Sequence, residues 1–186
     1  EYKYCINLGG FANISIKKNE GIIAFDICPA NIVLNDICKE LGFEYDYNGD
    51  IAREGKIVPT ILQQLNQLDF YTKKAPKSLG REWVEKHVFS ILKNHKPEDL
   101  LCTFCEHIAI QIGKFLADES ALFTGGGVFN SFLMERIRFH SKAKIFIPNK
   151  ELIEFKESLI FAFLGVLRLR NEVNCLKTVT GADRDN

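Results

Sequence analysis

Two glycine-rich turns constrain this chain more than any other feature: Asn7-Leu8-Gly9-Gly10-Phe11-Ala12-Asn13 near the start, and Thr124-Gly125-Gly126-Gly127-Val128-Phe129-Asn130 in the second half. Each follows an apolar run that reads as a strand. Glycine lets the backbone take positive φ and removes the Cβ atoms that would hold a ligand away, so successive N–H groups can converge on an anion, usually phosphate. A single such site is more often only a tight turn. Two of them in one short chain weigh toward a phosphate ligand.

The order of elements around them is that of an α/β lobe. Tyr4 to Leu8, Ile14 to Lys17 and Ile22 to Phe25 are short β-type runs, the last two joined by the turn signal Lys18-Asn19-Glu20-Gly21, which predicts an antiparallel ribbon. Pro29 stands where a first helical turn tolerates proline, and Ile32, Val33, Ile37 and Leu41 recur at helical spacing until Gly42. Phe43 to Gly55 reads as a loop, Ile57 to Leu68 as a helix, and Asp69 to Arg81 as a connection. Helices are expected over Glu82 to Leu92 and Glu98 to Leu116, the second with Leu101, Phe104, Cys105, Ile108, Ile112 and Phe115 on one face. Ala121 to Thr124 is a buried strand, Asn130 to Phe139 a helix, Lys144 to Ile147 a strand, and Phe155 to Arg170 a strongly apolar helix. No repeat or low-complexity linker divides the chain, so one lobe is expected.

Composition narrows the partners. The 186 residues are 46% hydrophobic and 26% charged, which is ordinary for a globular chain. Lys+Arg and Asp+Glu both total 24, so the basic surplus that phosphate neutralisation on nucleic acid requires is missing. The apolar stretches around Leu159 to Leu167 and Ile108 to Ile112 fall short of the roughly 20 residues that span a bilayer, so neither a membrane nor nucleic acid is an expected partner. The cysteines at 5, 28, 38, 102, 105 and 175 lie mostly in apolar runs, which suits a reduced, cytoplasmic setting. Cys102 and Cys105 form a C-x-x-C without a second pair, and His87, His95, His107 and His140 show no ligand spacing, so no protein metal site is expected. The chain opens on Glu1 rather than Met, as a piece of a longer polypeptide or a processed product would.

Neither glycine turn is G-x-x-x-x-G-K-[ST], and neither is G-x-G-x-x-G with an acidic residue about 20 positions on, which removes the P-loop and dinucleotide-binding folds. A lobe opening on a β-ribbon with Gly-Gly at its first turn and Gly-Gly-Gly late in the chain is arranged like the second lobe of the actin-like ATPase and sugar-kinase superfamily. Six ordered blocks then make the resemblance specific: Asn7 to Ile14, Phe25 to Asn31, Pro76 to Glu82, Gly125 to Asn130, Glu157 to Ala162 and Val179 to Ala182. They resemble successive signatures of the anhydro-N-acetylmuramic acid kinase family and cover nearly the whole chain. The resemblance implies an α/β, actin-like ATPase (ribonuclease H-like) lobe with a mixed sheet flanked by helices. It also implies a cytoplasmic enzyme of peptidoglycan recycling that uses ATP, with Mg2+, and water to open the 1,6-anhydro ring of its sugar and phosphorylate the 6-oxygen.

Two departures accompany it. Ile27-Cys28 stands where the family more often has Thr-Gly. The family's N-terminal lobe, with its own phosphate loop and the aspartate that serves as general base, is absent from this chain. Residues 1–186 therefore resemble a C-terminal lobe that is inactive alone, needing its N-terminal partner lobe and open to forming a homodimer.

Gly9 and Gly10, with Asn13 in the same block, suit contact with the transferred phosphate. Gly125, Gly126 and Gly127 suit approach to the nucleotide's sugar or α-phosphate with Asn130 adding a hydrogen bond, and Asn130 is equally a helix cap. Asp26 and Asn31 suit a metal-bound water or a sugar hydroxyl, and they too could be caps. Lys77, Ser78 and Arg81 suit anionic groups or belong to a solvated loop. Glu157, matching the family's glutamate and opening the most apolar helix, is the candidate catalytic carboxylate against the alternative of a helix-terminal surface group. A non-catalytic actin-like module related to the heat-shock chaperones shares the glycine turns but needs neither the Pro76 to Glu82 block nor Glu157. A metalloprotease lacks its His pair.

Overall fold

The computed structural model describes residues 2–19 and 21–185. Strands β1 (Tyr4–Leu8), β2 (Phe11–Lys18) and β3 (Gly21–Pro29) form the expected ribbon, though Glu20 of its second turn lies outside the described residues. Helices α1 (Asn31–Glu40), α2 (Asp50–Glu54), α3 (Pro59–Asn66), α4 (Arg81–His87) and α5 (Pro97–Gly113) fill the long passage to β4 (Ser120–Thr124). Then come α6 (Ser131–His140), β5 (Lys144–Phe146), α7 (Lys150–Leu169) and α8 (Lys177–Thr180). The sheet runs β3-β2-β1-β4-β5, with β3, β2 and β1 antiparallel and β1, β4 and β5 parallel. Its mixed character follows from the connections: a two-residue hairpin suffices for β1 and β2, whereas the parallel pairs need the helical crossovers.

Alternate residues of β1 (Tyr4, Ile6, Leu8), of β2 (Ala12, Ile14) and of β4 (Ala121, Phe123) are buried on one face. That face meets α5, in which Leu101, Phe104, Cys105, Ile108 and Ile112 are fully buried as the helical spacing predicts. Burial extends around α5 to Thr103, Glu106, His107 and Gln111, so it is the central helix of the lobe rather than an amphipathic surface one. Its buried polar side chains all find partners. Thr103 Oγ1 donates to Asp99 O and accepts from Val58 N, while Glu106 takes Arg136 at 2.6 and 3.0 Å and His140 at 2.7 Å. Cys102 and Cys105 are free and buried in the core.

Some elements differ from the local patterns. Pro29 ends β3 instead of opening a helix, and it is tolerated because β3 is an edge strand whose missing N–H leaves no ladder bond unmade. The expected loop at 43–55 contains a 3-10 turn at Tyr47–Gly49 and helix α2. Asp46 creates that helix by accepting from Ile51 N and Ala52 N, both at 2.9 Å, which replaces the missing intrahelical partners of its first turn. Helix α7 begins five residues earlier than expected, because Asn149 Oδ1 caps it through Leu152 N at 3.0 Å. Only Ile153 of α7 is buried, and Phe155, Leu159, Phe161, Phe163 and Leu169 are exposed. Among the described residues no helix is long and apolar enough to cross a membrane.

Candidate functional site

Strand register assembles a polar row across the sheet. Asp26 of β3 lies opposite Asn13 of β2, Asn13 opposite Asn7 of β1, and Asn7 opposite Thr124 of β4. Neighbouring residues in register point to the same face, and adjacent strands are about 4.8 Å apart, so the four residues mark a line of roughly 14 Å. One cavity reaches the row at Asn13 and Asp26, and another lies along the glycine turn that follows Thr124. The latter, of about 570 Å³, is lined by Asn31, Gly126, Gly127, Asn130 and the rings of Tyr45 and Tyr47. The other, of about 390 Å³, is lined by Asn13, Asp26, Lys77, Ser78, Val179 and Thr180.

The glycine triplet divides its work. Gly125 has φ +86°, and a Cβ there would stand 2.7 Å from both Asn7 Oδ1 and Leu8 O. A Cβ at Gly127 would stand 2.7 Å from Leu8 Cβ. Both glycines are therefore required by packing of the turn against β1, whereas at Gly126 a Cβ would meet nothing within 4 Å and would project into open space. Asn130 caps α6 through Leu133 N at 2.8 Å, one of its two expected roles, and it also lines the larger cavity.

The first turn is built differently. Gly9 and Gly10 connect β1 and β2, and neither takes the positive φ that such a doublet allows. Their carbonyls accept from the N–H groups of Ala30, Asn31 and Ile32, so the tip of the hairpin satisfies the first amides of α1. Asn31 is the first residue of α1 rather than its cap, and its Nδ2 donates to Leu8 O at 3.3 Å. Neither Gly9 nor Gly10 lines either cavity.

Asp26 is not a cap either. Its Oδ2 accepts from Leu79 N at 2.8 Å and its N–H donates to Lys77 O at 3.1 Å, which holds the Pro76 to Arg81 segment against the edge strand. Oδ1 remains uncommitted among the described residues. One such carboxylate fits Mg2+, which keeps several waters and needs few protein ligands when phosphates supply the rest. Among the described residues, His, Cys, Asp and Glu form no group of three that could hold a metal by themselves.

Lys77 points inward: Nζ donates to Phe70 O at 3.1 Å and stands 4.4 Å from the Phe70 ring centroid, and burial lowers its pKa. Ser78 is exposed on the cavity rim. Arg81 pairs with Asp36 and Glu85, both at 2.9 Å, and lines neither cavity. Glu157 sits in the interior of α7, exposed, not at the start of a buried helix, so the expectation of a carboxylate at the edge of the core is corrected.

Lys156, absent from the sequence-based candidates, donates to Asn7 Oδ1 and to Thr124 Oγ1 at 3.0 Å, placing an ammonium over the Thr124 end of the row. The polar positions of Asn7 and Thr124, each within two residues of a glycine turn, were the available signal. Nothing local distinguishes Lys156.

A family model described as anhydro-N-acetylmuramic acid kinase matches residues 1–186. An anhydro-N-acetylmuramic acid kinase of Aliivibrio fischeri is 32% identical over 204 residues, covering 96% of this chain and 53% of that protein. One of Saccharophagus degradans is 32% identical over 196 residues, covering 97% and 53%. The chain thus spans about half the length of the curated relatives it matches. Among solved structures, the activator of the 2-hydroxyisocaproyl-CoA dehydratase from Clostridium difficile, with bound ADPNP, aligns with a TM-score of 0.51 at 17% identity. That alignment covers 80% of this chain and 55% of the activator. Component A of the Acidaminococcus fermentans (R)-2-hydroxyglutaryl-CoA dehydratase also aligns with a TM-score of 0.51, at 16% identity, covering 83% and 57%. At such identities the likeness is one of fold, and the fold is that of an actin-like ATPase lobe.

Proposed function

The chain belongs to the anhydro-N-acetylmuramic acid kinase family, and from that premise we propose that it is the C-terminal lobe of a cytoplasmic, ATP-dependent sugar kinase of peptidoglycan recycling. The reaction we assign to the whole enzyme adds water to the anomeric carbon of 1,6-anhydro-N-acetylmuramic acid and breaks its bond to the 6-oxygen. That oxygen takes the γ-phosphoryl group of ATP, leaving N-acetylmuramic acid 6-phosphate and ADP. The observation that carries this reading is the polar row that runs from the Asp26 cavity to Thr124, next to the glycine turn that lines the second cavity. Phosphoryl transfer needs a nucleotide site and an acceptor site held in fixed relation, with little covalent chemistry from the protein.

In this scheme the nucleoside end of ATP lies against Gly126 and Asn130, and the sugar lies near Asn13, Asp26 and Ser78. Lys77 supports its loop from within. Mg2+ arriving with ATP would neutralise charge on the phosphates, with Asp26 the carboxylate available to hold it. Glu157 acts on the sugar, and the general base comes from the N-terminal lobe. That lobe is also the occupant we assign to the exposed apolar face of α7, because the relatives are about twice as long as this chain. A second copy of the chain is the competing occupant.

The test is turnover. Full-length protein incubated with labelled ATP, Mg2+ and the anhydro sugar should form the 6-phosphate, and residues 1–186 alone should not. Glu157→Gln in the full-length protein should slow turnover about 100-fold to 1000-fold, equivalent to roughly 2.7 to 4 kcal/mol of barrier, with ATP affinity near normal. No product from the full-length protein would refute the kinase reading. Normal turnover in the variant would leave Glu157 a surface carboxylate with no part in the reaction.

A further inference from the structure

The ammonium of Lys156 is held in an unusual way. Its acceptors are Asn7 Oδ1 and Thr124 Oγ1, and Thr124 is itself buried, donating to Ile6 O at 3.3 Å. Among the described residues no carboxylate forms an ion pair with it. Burial pushes its pKa down, and the Glu157 charge opposes that only in part. Lys156 is half-buried, and amide and hydroxyl oxygens offset the lost hydration of a cation less well than an anion does. With two acceptors engaged, one of its three N–H groups has no partner among the described residues.

Its position is fixed by its helix. Ile153, three residues earlier and thus on the same face, is the buried residue of α7, and Asn149 caps the first turn. Lys150 and Glu154, from the same two turns, line the larger cavity beside Gly126. The helix that walls the cavity therefore also delivers Lys156 to Asn7 and Thr124, the residues just ahead of the two glycine turns.

We infer that Lys156 is a phosphate-binding residue, its ammonium receiving the terminal phosphates of the nucleotide whose nucleoside end lies at Gly126. This rests on the nucleotide reading above and divides the labour within it. The Gly125 to Gly127 turn admits the nucleoside end, and Lys156 carries the charge on the β- and γ-phosphates over the row that leads to Asp26. A phosphate oxygen on the free N–H makes a charge-assisted hydrogen bond, about twice as strong as a neutral one. A cation fixed there also meets the charge that develops during transfer.

The experiment compares a non-hydrolysable ATP analogue with adenosine by calorimetric titration of the full-length protein, in wild type, Lys156→Met and Lys156→Arg. Lys156→Met should weaken the analogue at least tenfold and leave adenosine within about twofold, and Lys156→Arg should recover much of the loss. Adenosine binding serves as the check that the variant is folded. Equal binding of the analogue by wild type and Lys156→Met would overturn the proposal while leaving the nucleotide site intact. Equal weakening of analogue and adenosine would overturn it by assigning Lys156 a structural role. If wild type bound neither ligand, the nucleotide reading itself would fall and this inference with it.

Discussion

His107 should make this protein lose stability as the pH falls from neutral, by an amount the structure lets us work out. The ring is fully buried on α5, with Nδ1 2.8 Å from Asn66 Oδ1 and Nε2 2.8 Å from the Tyr71 hydroxyl. Asn66 Oδ1 also accepts from Gln111 Nε2 at 2.6 Å, so it is an acceptor, Nδ1 carries the proton, and Nε2 accepts from Tyr71. A second proton has no place in that network. Burial, with the Lys114 charge adding to it, lowers the pKa from 6.5 to about 3. The folded state therefore binds fewer protons than the unfolded state between those values, and stability is present above pH 6.5 and lost on the way down to about 3. At about pH 5 the unfolded histidine is some 1.5 units below its pKa, which at 1.36 kcal/mol per unit costs about 2 kcal/mol. This figure does not depend on the folded pKa so long as that lies below about 4.

The assay is urea unfolding of wild type and His107→Gln at about pH 7.5 and about pH 5. Glutamine can meet the same partners without titrating. Whatever the variant costs at neutral pH, the gap between the two proteins should narrow by about 2 kcal/mol at the lower pH, and the difference cancels the other titrating groups. A gap that is the same at both pH values would mean that His107 is hydrated or charged in the folded protein, and the buried Asn66–His107–Tyr71 network would be refuted.

Two further outcomes test the glycines. Gly49 has φ +77°, and a Cβ there would run into Asn130 Oδ1 and stand 2.6 Å from Phe132 Cβ, so Gly49→Ala should strain the backbone and break the α6 cap together. A loss of about 2 to 3 kcal/mol in urea unfolding is expected, and a loss under about 0.5 kcal/mol would mean that the loop is free of α6. Gly126→Val places its side chain in open space and should leave stability nearly unchanged, while weakening an ATP analogue at least tenfold, or about 1.4 kcal/mol, by calorimetry. Undiminished affinity in the folded variant would make Gly126 part of a purely structural turn.

The sequence by itself determined what short-range periodicity and residue chemistry encode. The apolar runs of β1 and β4, the helical spacing in α5 and the glycine cluster after Thr124 each report burial or backbone freedom within a few residues, and the structure has them there. Ordered motifs spread along the chain carried the family for the same reason, since each is a local signature. Where a local pattern had two outcomes, only packing chose between them. The apolar run of α7 reads as core, but within this chain nothing covers most of it among the described residues. The polar stretch before Gly55 reads as loop, but Asp46 turns part of it into α2. The functional geometry belongs wholly to the tertiary structure. Asp26, Asn13, Asn7 and Thr124 share a row only through the pairing of four strands, and Lys156 meets two of them across 149 and 32 positions of chain. Register across a sheet is settled by which faces can be buried together, and no window of neighbouring residues contains that information.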